Sequence, residues 1–293
     1  MLEYDKIEIP SIVRFLEFCF EFFVGMKLGI STYSFPWSIG VNGFLPRHQL
    51  SADELIEFAS ANNIHYVQFG DNYQLHNSKQ KMQALKTKAA ESNINIQVGT
   101  RRLQYDHILE YIEIAHEFQS PFLRIVIDDA GFHPTKEEVI KTIKKLLPIF
   151  EKKKMILAIE NHDRFKAEIL KQIILETSPE YVGICLDTCN SLGAGEGINE
   201  ILTALLPYTV NLHIKDFKIE RVDHKMGFNM YGTPAGTGML DIPLILQAFT
   251  KSKKCETATL EIWMNPLPTI EETVQQEAKW VEQSIQYLKK FIP

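Results

Sequence analysis

The sequence predicts a (β/α)8 TIM barrel, an eight-stranded parallel barrel surrounded by helices. Three observations lead to this prediction: eight short runs rich in strand-forming residues recur along the chain, helical stretches separate them, and several runs alternate aliphatic with polar residues. Alternating strands and helices indicate a parallel sheet with helices outside it, and eight units favour closure into a barrel. An open doubly wound sheet is the alternative that this pattern leaves open.

The predicted strands are spread over the chain from residue 27 onward. In order, they are Lys27–Tyr33, His65–Gly70, Asn95–Arg101, Phe122–Asp128, Met155–Glu160, Val182–Asp187, Val210–Lys215 and Thr257–Trp263. A chain of 293 residues is long enough for two domains, but barrels of this type commonly use that length for one core. We therefore expect residues 26–293 to form one domain.

Helix start signals lie between the predicted strands. Three segments have the capping-box pattern, in which a Ser or Thr is followed three residues later by Glu: Ser51 to Glu54, Thr135 to Glu138 and Thr269 to Glu272. Each box predicts a helix that begins just after a strand or its connecting loop.

Side-chain parity predicts which residues face the barrel axis, because residues two apart in a strand share a face. In the seventh predicted strand, Leu212 and Ile214 would face the helices, while Asn211, His213 and Lys215 would face inward. The same parity turns further polar side chains inward in the fourth and eighth strands: Arg124, Asp128 and Glu261. Barrels of this type carry their active site at the C-terminal strand ends, so the polar inward residues there are the candidate site.

Composition restricts the class of protein. Hydrophobic residues make up 45% of the chain and charged residues 23%, which is ordinary for a globular protein with a large core. A net charge of -6 provides no basic surface for nucleic acid, so we expect no nucleic-acid partner. Four cysteines and no secretion signal predict a cytoplasmic protein without a disulfide framework.

The N-terminal segment Ile12–Val24 is rich in Phe and aliphatic residues, as a membrane-spanning helix would be. It has 13 residues and three charged side chains, whereas a membrane-spanning helix needs about 20 mostly apolar residues. We therefore expect no membrane association through a spanning helix. Since the first predicted strand follows Met26 directly, our hypothesis is that Met26 is the natural start and residues 1–25 are an extension; loss of folded protein on deleting them would refute it.

Four residues fall at or near the ends of consecutive predicted strands: Glu160, Asp187, His213 and Glu261. Glu160 and Asp187 are 27 residues apart and Asp187 and His213 are 26 apart, which is one strand-helix unit each, whereas 48 residues separate His213 from Glu261. Neighbouring strands lie roughly 4.8 Å apart. The ends of four successive strands can therefore converge on one ion.

This ligand set is hard and mostly oxygen. Three carboxylates and one imidazole favour Mn2+, Mg2+ or Co2+ over a thiolate-rich zinc site, and Mn2+ is the metal we expect. Any one acidic residue at a strand end is more simply explained as a helix cap or a solvated side chain. Four ionisable residues at the ends of consecutive strands instead indicate a metal site, because burying them without a cation would incur a heavy desolvation cost.

Three segments around these residues resemble the xylose-isomerase-like sugar isomerase/epimerase superfamily: Ala158-Ile-Glu-Asn-His-Asp-Arg164, Gly183 to Glu196, and Leu212-His-Ile-Lys-Asp-Phe217. The resemblance extends from about Met26 to the C-terminus. It implies that Glu160, Asp187, His213 and Glu261 are metal ligands, and that Glu160 and Glu261 are the paired acid/base glutamates of the epimerases. Within the superfamily, residues 221–228 and 232–241 resemble the 3-oxoisoapionate decarboxylase branch.

The chemistry implied is formation of an enediolate stabilised by the metal. In an isomerase or epimerase acting on a sugar or sugar acid, one glutamate removes a proton and the other helps to return one. A sugar-acid decarboxylase needs the same electron sink but no base, so only the later protonation requires Glu160 or Glu261. The sequence predicts the isomerase/epimerase type, with 3-oxoisoapionate-type decarboxylation as the alternative.

Four basic residues are candidates for binding an anionic substrate. Lys215, Arg221 and His224 lie in or near the 48-residue interval, and Arg101 lies on the inward side of the third predicted strand. Arg101 could alternatively pair with Asp128, as could Arg124. Residues 232–238, which are rich in glycine and follow no predicted strand, are interpreted as a flexible or tightly turned lid segment.

Four further residues are candidates for contacting the sugar itself. His162 and Asn190 follow metal ligands by two or three residues and could hydrogen-bond hydroxyl groups, or could only cap a helix. Tyr33 and Trp263 would form an apolar wall against the sugar's carbon face, or pack at the top of the barrel.

Two other classes of protein are less well supported. An apurinic endonuclease-like enzyme would resemble a multi-zinc site with additional histidines, yet the remaining histidines do not fall at inward strand ends. A non-catalytic sugar-binding barrel would have no use for both glutamates. We expect a small sugar or sugar acid as the partner; the sequence is also compatible with a homo-oligomer.

Overall fold

The computed structural model describes residues 25–75, 78–250 and 252–292. The predictions for the N-terminal extension therefore lie outside the described residues. Within the described residues, no helix is both long and apolar enough to cross a membrane.

Eight parallel strands close into a barrel, and a separate two-stranded antiparallel hairpin is inserted between the seventh and eighth. The barrel strands are β1 (Lys27–Ser31), β2 (Tyr66–Phe69), β3 (Asn95–Arg101), β4 (Phe122–Val126), β5 (Ile156–Glu160), β6 (Val182–Asp187), β7 (Thr209–Ile214) and β10 (Thr257–Leu260). β1 pairs with β2 on one side and with β10 on the other, which closes the barrel. The predicted barrel is confirmed and the open sheet is excluded.

All eight predicted strands are present. β3 and β6 have the predicted bounds, and the others begin or end within three residues of them. The largest difference is in the eighth barrel strand, which ends at Leu260, so Glu261 lies one residue beyond it.

Helices connect the barrel strands on the outside. In chain order the helices are α1 (Pro36–Ile39), α2 (Ala52–Ala61), α3 (Lys79–Glu91), α4 (Tyr105–Glu117), α5 (Lys136–Lys153), α6 (Ala167–Glu176), α7 (Ile198–Leu205), α8 (Ile242–Phe249) and α9 (Ile270–Leu288). The capping boxes of Ser51 and Thr135 are both complete, and the Thr269 side chain accepts the amide of Glu272 at the start of α9.

The barrel interior is polar next to the candidate site. Asn211 Nδ2 donates to Thr257 Oγ1 at 2.7 Å, and Gln68 Nε2 donates to Asn211 Oδ1 at 3.2 Å. Gln97 Nε2 also donates to Thr257 Oγ1, at 3.2 Å. These bonds join four strands across the barrel axis, and they hold Gln68 where it meets His213.

The 48-residue interval contains the hairpin of β8 (Asp216–Arg221) and β9 (Phe228–Thr233), followed by a turn and α8. The interpretation of residues 232–238 as following no strand was wrong, because they begin inside β9. The turn after β9 is tight and anchored rather than flexible: the amides of Gly236 and Gly238 donate to Asp216 Oδ2 at 3.0 and 2.9 Å. A Cβ at Gly232 would lie 2.1 Å from the Trp263 carbonyl oxygen, so glycine is what lets the hairpin pack against Trp263.

Candidate functional site

The four residues predicted at strand ends lie together and are buried. Glu160 and Asp187 are the last residues of β5 and β6, His213 is in β7, and Glu261 follows β10. Each is exposed by 2% or less. Asp187 and His213 are register partners in the sheet, as are His213 and Thr259, so the strand order itself brings the set together.

His213 is oriented by a residue on the far side of the barrel. Its Nε2 lies 2.7 Å from Gln68 Oε1, and since that oxygen only accepts, Nε2 must carry the proton. In the neutral ring, Nδ1 therefore presents a lone pair. That lone pair lies 3.4 Å from Glu160 Oε2 and 3.3 Å from Glu261 Oε1.

Asp187 has one satisfied oxygen and one directed into the site. Oδ1 accepts the amides of Cys189 and Asn190, both at 2.8 Å. From the described residues, the buried Oδ2 accepts no well-aligned hydrogen bond, although the Lys215 ammonium lies 2.9 Å away.

Glu160 is held by two polar neighbours. Arg124 Nε donates to its Oε2, and Asn190 Nδ2 donates to its Oε1 at 2.8 Å. Burial acts to raise the pKa of the Glu160 carboxyl, but neighbouring cations, chiefly the Arg124 guanidinium, outweigh it and the net pKa is lowered. Glu160 is therefore ionised at neutral pH.

Glu261 and Lys215 form the other side of the site. Ser31 Oγ donates to Glu261 Oε1 at 3.0 Å, and Lys215 Nζ lies 3.0 Å from Oε2. Burial raises the pKa of the Glu261 carboxyl, but neighbouring cations, Lys215 and Arg124 among them, outweigh it and hold the pKa well below its usual range. Burial lowers the pKa of Lys215, yet Asp187 and Glu261 together raise it well above its ordinary value, so the ammonium stays charged.

The donor set fits a divalent cation. One ligand atom from each of Asp187, His213 and Glu261 lies within 4.8 Å of the others, and the same holds for Glu160, Cys185 and His213. An imidazole lone pair facing two carboxylates is repulsive, so this arrangement requires either a proton on Nδ1 or a metal cation between the three groups. Among the described residues, His213 Nδ1 and Asp187 Oδ2 are both buried without a hydrogen-bond partner, which is what ligand atoms directed at a metal would show.

Cys185 does not compete for this role. Its Sγ donates to Asn211 Oδ1 at 3.2 Å, and burial raises the pKa of the thiol well above its usual value. A sulfur ligand is also softer than the carboxylates beside it, which favour a hard divalent cation. The oxygen and nitrogen donors are therefore the fitting set.

A second charged cluster lies at the ends of β2, β3 and β4. Asp71 Oδ2 is 2.7 Å from Arg101 Nε and accepts the Tyr33 hydroxyl at 2.9 Å, while Asp71 Oδ1 accepts Arg124 Nη1 at 3.2 Å. Burial raises the pKa of Asp71, but Arg124 and Arg101 outweigh it, so Asp71 is ionised. Arg124 joins this cluster to Glu160, and Arg101 is about one third exposed.

The structure brings some predicted substrate contacts to the site and places others elsewhere. Asn190 and Lys215 touch the carboxylates directly, and Lys215 Nζ donates to Asn190 Oδ1 at 3.3 Å. Tyr33 and Arg101 belong to the Asp71 cluster. Trp263 lies under the hairpin, where its Nε1 donates to the Asp216 carbonyl at 3.1 Å.

The remaining three predicted contacts lie toward solvent. His162 is partly exposed and its Nδ1 is bonded to Asp163. Arg221 lies six residues past Lys215 in extended chain, about 20 Å at 3.3 Å per residue, and its guanidinium stacks over Phe228 at 4.3 Å. His224 is exposed in the hairpin turn and accepts the Met226 amide at 3.3 Å. Arg221 and His224 are thus not joined to the four central residues by the described contacts.

The alternative pairing of Arg101 or Arg124 with Asp128 was wrong. Asp128 instead accepts two bonds from Arg164, at 2.7 and 2.6 Å. The residue that pairs with both Arg101 and Arg124 is Asp71, which sequence reasoning missed. A signal was present, because Asp71 follows the second predicted strand directly and is acidic, like the other strand-end ligands.

Comparisons with known proteins show which family the fold resembles. A family model described as "Xylose isomerase-like TIM barrel" matches residues 44–291. A 3-oxo-isoapionate decarboxylase from Pectobacterium atrosepticum is 28% identical over 264 residues, which cover 90% of this chain and 95% of that protein.

Solved structures show the same fold at low sequence identity. A xylose isomerase domain protein from Planctomyces limnophilus matches with a TM-score of 0.68 at 16% identity, covering 91% of this chain and 97% of that one. D-psicose 3-epimerase from Clostridium cellulolyticum, solved with D-tagatose, matches with a TM-score of 0.67 at 12% identity, covering 91% and 98%.

Proposed function

This chain belongs to the xylose isomerase-like TIM barrel family, and we propose that it is a divalent-metal-dependent enzyme that converts a sugar acid through an enediolate. The observation that carries the proposal is the convergence of buried donors, in which His213 Nδ1 lies 3.3 Å from Glu261 Oε1 and 3.4 Å from Glu160 Oε2. Glu160, Asp187, His213 and Glu261 would hold the metal, with Mn2+ as the expected ion and Mg2+ or Co2+ as substitutes. When bound, the cation would polarise the substrate carbonyl and stabilise the enediolate charge.

We assign the substrate's carboxylate to the side of the barrel formed by β2, β3 and β4. Arg101 and Arg124 together face one aspartate, Asp71, and Arg101 is partly exposed. A guanidinium has five N–H donors, so Arg101 keeps donors free for a carboxylate after pairing with Asp71. Lys215, charged and next to Glu261, would contact the substrate's oxygens from the other side.

The protonation states of the two glutamates favour decarboxylation as the reaction. Epimerisation by two bases requires one of the two glutamates to be protonated before turnover. Neighbouring cations lower the pKa of both Glu160 and Glu261, so both start ionised. Decarboxylation needs no base: the bond from the α carbon to the carboxylate breaks, carbon dioxide leaves, and the electron pair forms the enediolate.

The later protonation needs a group that carries a proton. Lys215 does so throughout the neutral range and lies between Asp187 and Glu261. We therefore assign the return of a proton to carbon to Lys215, whose neutral amine would regain its proton from solvent. The decarboxylase relative, which matches over nearly its full length, supports the same branch.

A sugar isomerase or epimerase is the second candidate. The arrangement that favours it is the approach of Glu160 and Glu261 to the same His213 nitrogen from strands on either side of β7, where they would face a substrate as two bases. The psicose 3-epimerase of similar fold supports this candidate at the level of architecture.

A substrate screen separates the candidates. The manganese-loaded protein would be incubated in D2O with 3-oxo sugar acids, ketoses and ketose phosphates, with carbon dioxide and product stereochemistry followed together. Carbon dioxide from a sugar acid is the expected result. Epimer formation without carbon dioxide would select the second candidate, and absence of deuterium incorporation or turnover with every substrate would reject both.

Variants at two arginines test the carboxylate assignment. Arg101→Gln should raise KM for the acid substrate at least 10-fold with a smaller change in kcat, because a bidentate partner is lost. Arg164→Gln is the matched control, since Arg164 pairs with Asp128 and not with Asp71. Equal KM values for the two variants would contradict the assignment.

A further inference from the structure

A buried carboxylate outside the site holds a segment that leads into it. Glu277 lies in α9 and is fully buried. Its carboxylate accepts the amides of Trp37 and Ser38 at 2.7 and 2.9 Å, and it also accepts the Ser38 hydroxyl. Among the described residues, no cationic side chain forms an ion pair with it.

The hydrogen bonds made by Glu277 cap the N-terminus of α1. Trp37 and Ser38 lie in the first turn of α1, whose amides have no partner within the helix. The residue before the helix, Phe35, supplies no side-chain cap. Glu277 therefore does, from 240 residues away, what a local capping side chain would do.

This arrangement has an energetic cost. Burial of a carboxylate without a cation disfavours the charged form, and it raises the pKa of Glu277 to about 7. An apolar residue at this place would avoid that cost but would leave two buried amides unpaired. The contribution of Glu277 therefore lies in the segment that it holds.

That segment, residues 31–38, reaches the candidate site at two points. Ser31 Oγ donates to Glu261 Oε1 at 3.0 Å, and the Tyr33 hydroxyl donates to Asp71 at 2.9 Å. The backbone of the segment is also fixed to the chain around Glu261. The Ser34 hydroxyl donates to the Leu260 carbonyl at 2.6 Å, and the Ile262 amide donates to the Tyr33 carbonyl at 3.0 Å.

We propose that Glu277 is a positioning residue of the active site: it fixes residues 31–38 against the end of β10, and through Ser31 it sets the orientation of the Glu261 carboxylate. The route is short and continuous, from α9 to the first turn of α1, along the segment to Ser31, and then to Glu261. The inference rests on the proposed role of Glu261 as a ligand, and nothing in the route involves the substrate itself.

Three variants separate positioning from simple folding support. Glu277→Ala removes all acceptors, whereas Glu277→Gln keeps one carbonyl oxygen for an amide and should rescue part of the effect. Ser31→Ala breaks the last link of the route and leaves Glu277 intact. Glu282→Gln, at an exposed position of the same helix, is the matched control.

Amide hydrogen exchange in the full chain provides the first measurement. In Glu277→Ala we expect exchange at Trp37, Ser38 and Ile262 to rise at least 10-fold, with a smaller rise in Glu277→Gln and none in Glu282→Gln. Unchanged protection at these three amides in a folded Glu277→Ala protein would overturn the proposal. If that variant does not fold, Glu277→Gln decides, because unchanged exchange there together with unchanged Mn2+ spectra is the contrary result.

Electron paramagnetic resonance of bound Mn2+ provides the second measurement, which a merely structural role would not affect. At saturating Mn2+, the spectrum of Glu277→Ala should shift in the same direction as that of Ser31→Ala, because both release Glu261. A spectrum identical to wild type would overturn the positioning role. If wild-type protein binds no Mn2+, the proposed function fails instead, and the Ile262 exchange rate still decides whether Glu277 holds the segment against β10.

Discussion

His213 imposes the most specific chemical requirement on the site, because both of its ring nitrogens face oxygen atoms that only accept hydrogen bonds. Nε2 donates to Gln68, and Nδ1 is directed at Glu160 and Glu261. A histidine whose Nε2 donates to an amide oxygen has its ring orientation fixed, with Nδ1 as the atom that can bind a cation. Gln68 thereby becomes part of the proposed metal site without touching the ion.

Replacing Gln68 tests this tautomer argument. Gln68→Ala should weaken Mn2+ binding by about 10- to 100-fold, because metal-bound histidines lose affinity by that factor when the partner of the other ring nitrogen is removed. Titration calorimetry with Mn2+ measures the change. Gln97→Ala should lose less affinity, since Gln97 contacts Gln68 but not His213; an equal loss in both variants would indicate general disturbance of the barrel interior.

Replacing Lys215 should strengthen metal binding, whereas replacing Gln68 should weaken it. Its ammonium lies 2.9 Å from Asp187 Oδ2 and 3.0 Å from Glu261 Oε2, so it neutralises two proposed ligands in the absence of a metal. Lys215→Met should therefore bind Mn2+ more tightly than wild type while losing catalytic activity. Weaker binding in Lys215→Met would mean that the ammonium supports the ligands instead of competing for them.

At the scale of elements, α9 is tied to α1 by a carboxylate whose protonation changes stability. The pKa of Glu277 is raised from 4.5 to about 7, so the folded protein binds this proton more tightly than the unfolded chain does. The resulting contribution to stability is fully present below pH 4.5 and is lost as pH rises through 7. At 1.36 kcal/mol per pKa unit, the loss between pH 5 and pH 8 is roughly 2 to 3 kcal/mol.

Glu277→Gln should remove this part of the pH dependence. Denaturant unfolding at pH 5 and pH 8 measures it, and the difference in free energy of unfolding between the two pH values should be smaller in Glu277→Gln than in wild type by that amount. Glu282→Gln should behave as wild type does. An unchanged pH dependence in Glu277→Gln would show that Glu277 is not the group that titrates.

At the scale of the whole molecule, features that repeat along the chain could be predicted from the sequence. Features that depend on a single contact across the barrel could not. The eight strands and the convergence of Glu160, Asp187, His213 and Glu261 follow from periodicity and strand order, which are local properties. The β8–β9 hairpin was not predicted, although Phe217 and Ile219 in β8 and Phe228 and Met230 in β9 alternate with their neighbours as strand positions do. The pairing of Asp71 with Arg101 and Arg124 joins the ends of three strands, and no pattern along the chain specifies which acid meets which arginine.

The proposed metal joins four consecutive barrel strands to the ion, so its removal should affect the stability of the whole barrel. A ligand that binds only the folded state at 100 times its Kd stabilises that state by about 2.7 kcal/mol. For a chain of this size we expect Mn2+ at that excess to raise the Tm by several degrees, at roughly 2 °C per kcal/mol, and a chelator to reverse the rise. Asp187→Asn should lower the shift sharply, because it weakens one ligand without changing its shape, while Asp128→Asn, outside the ligand set, should keep it. A wild-type Tm that does not respond to Mn2+, Mg2+ or Co2+ would contradict the metal site, whatever substrate the protein acts on.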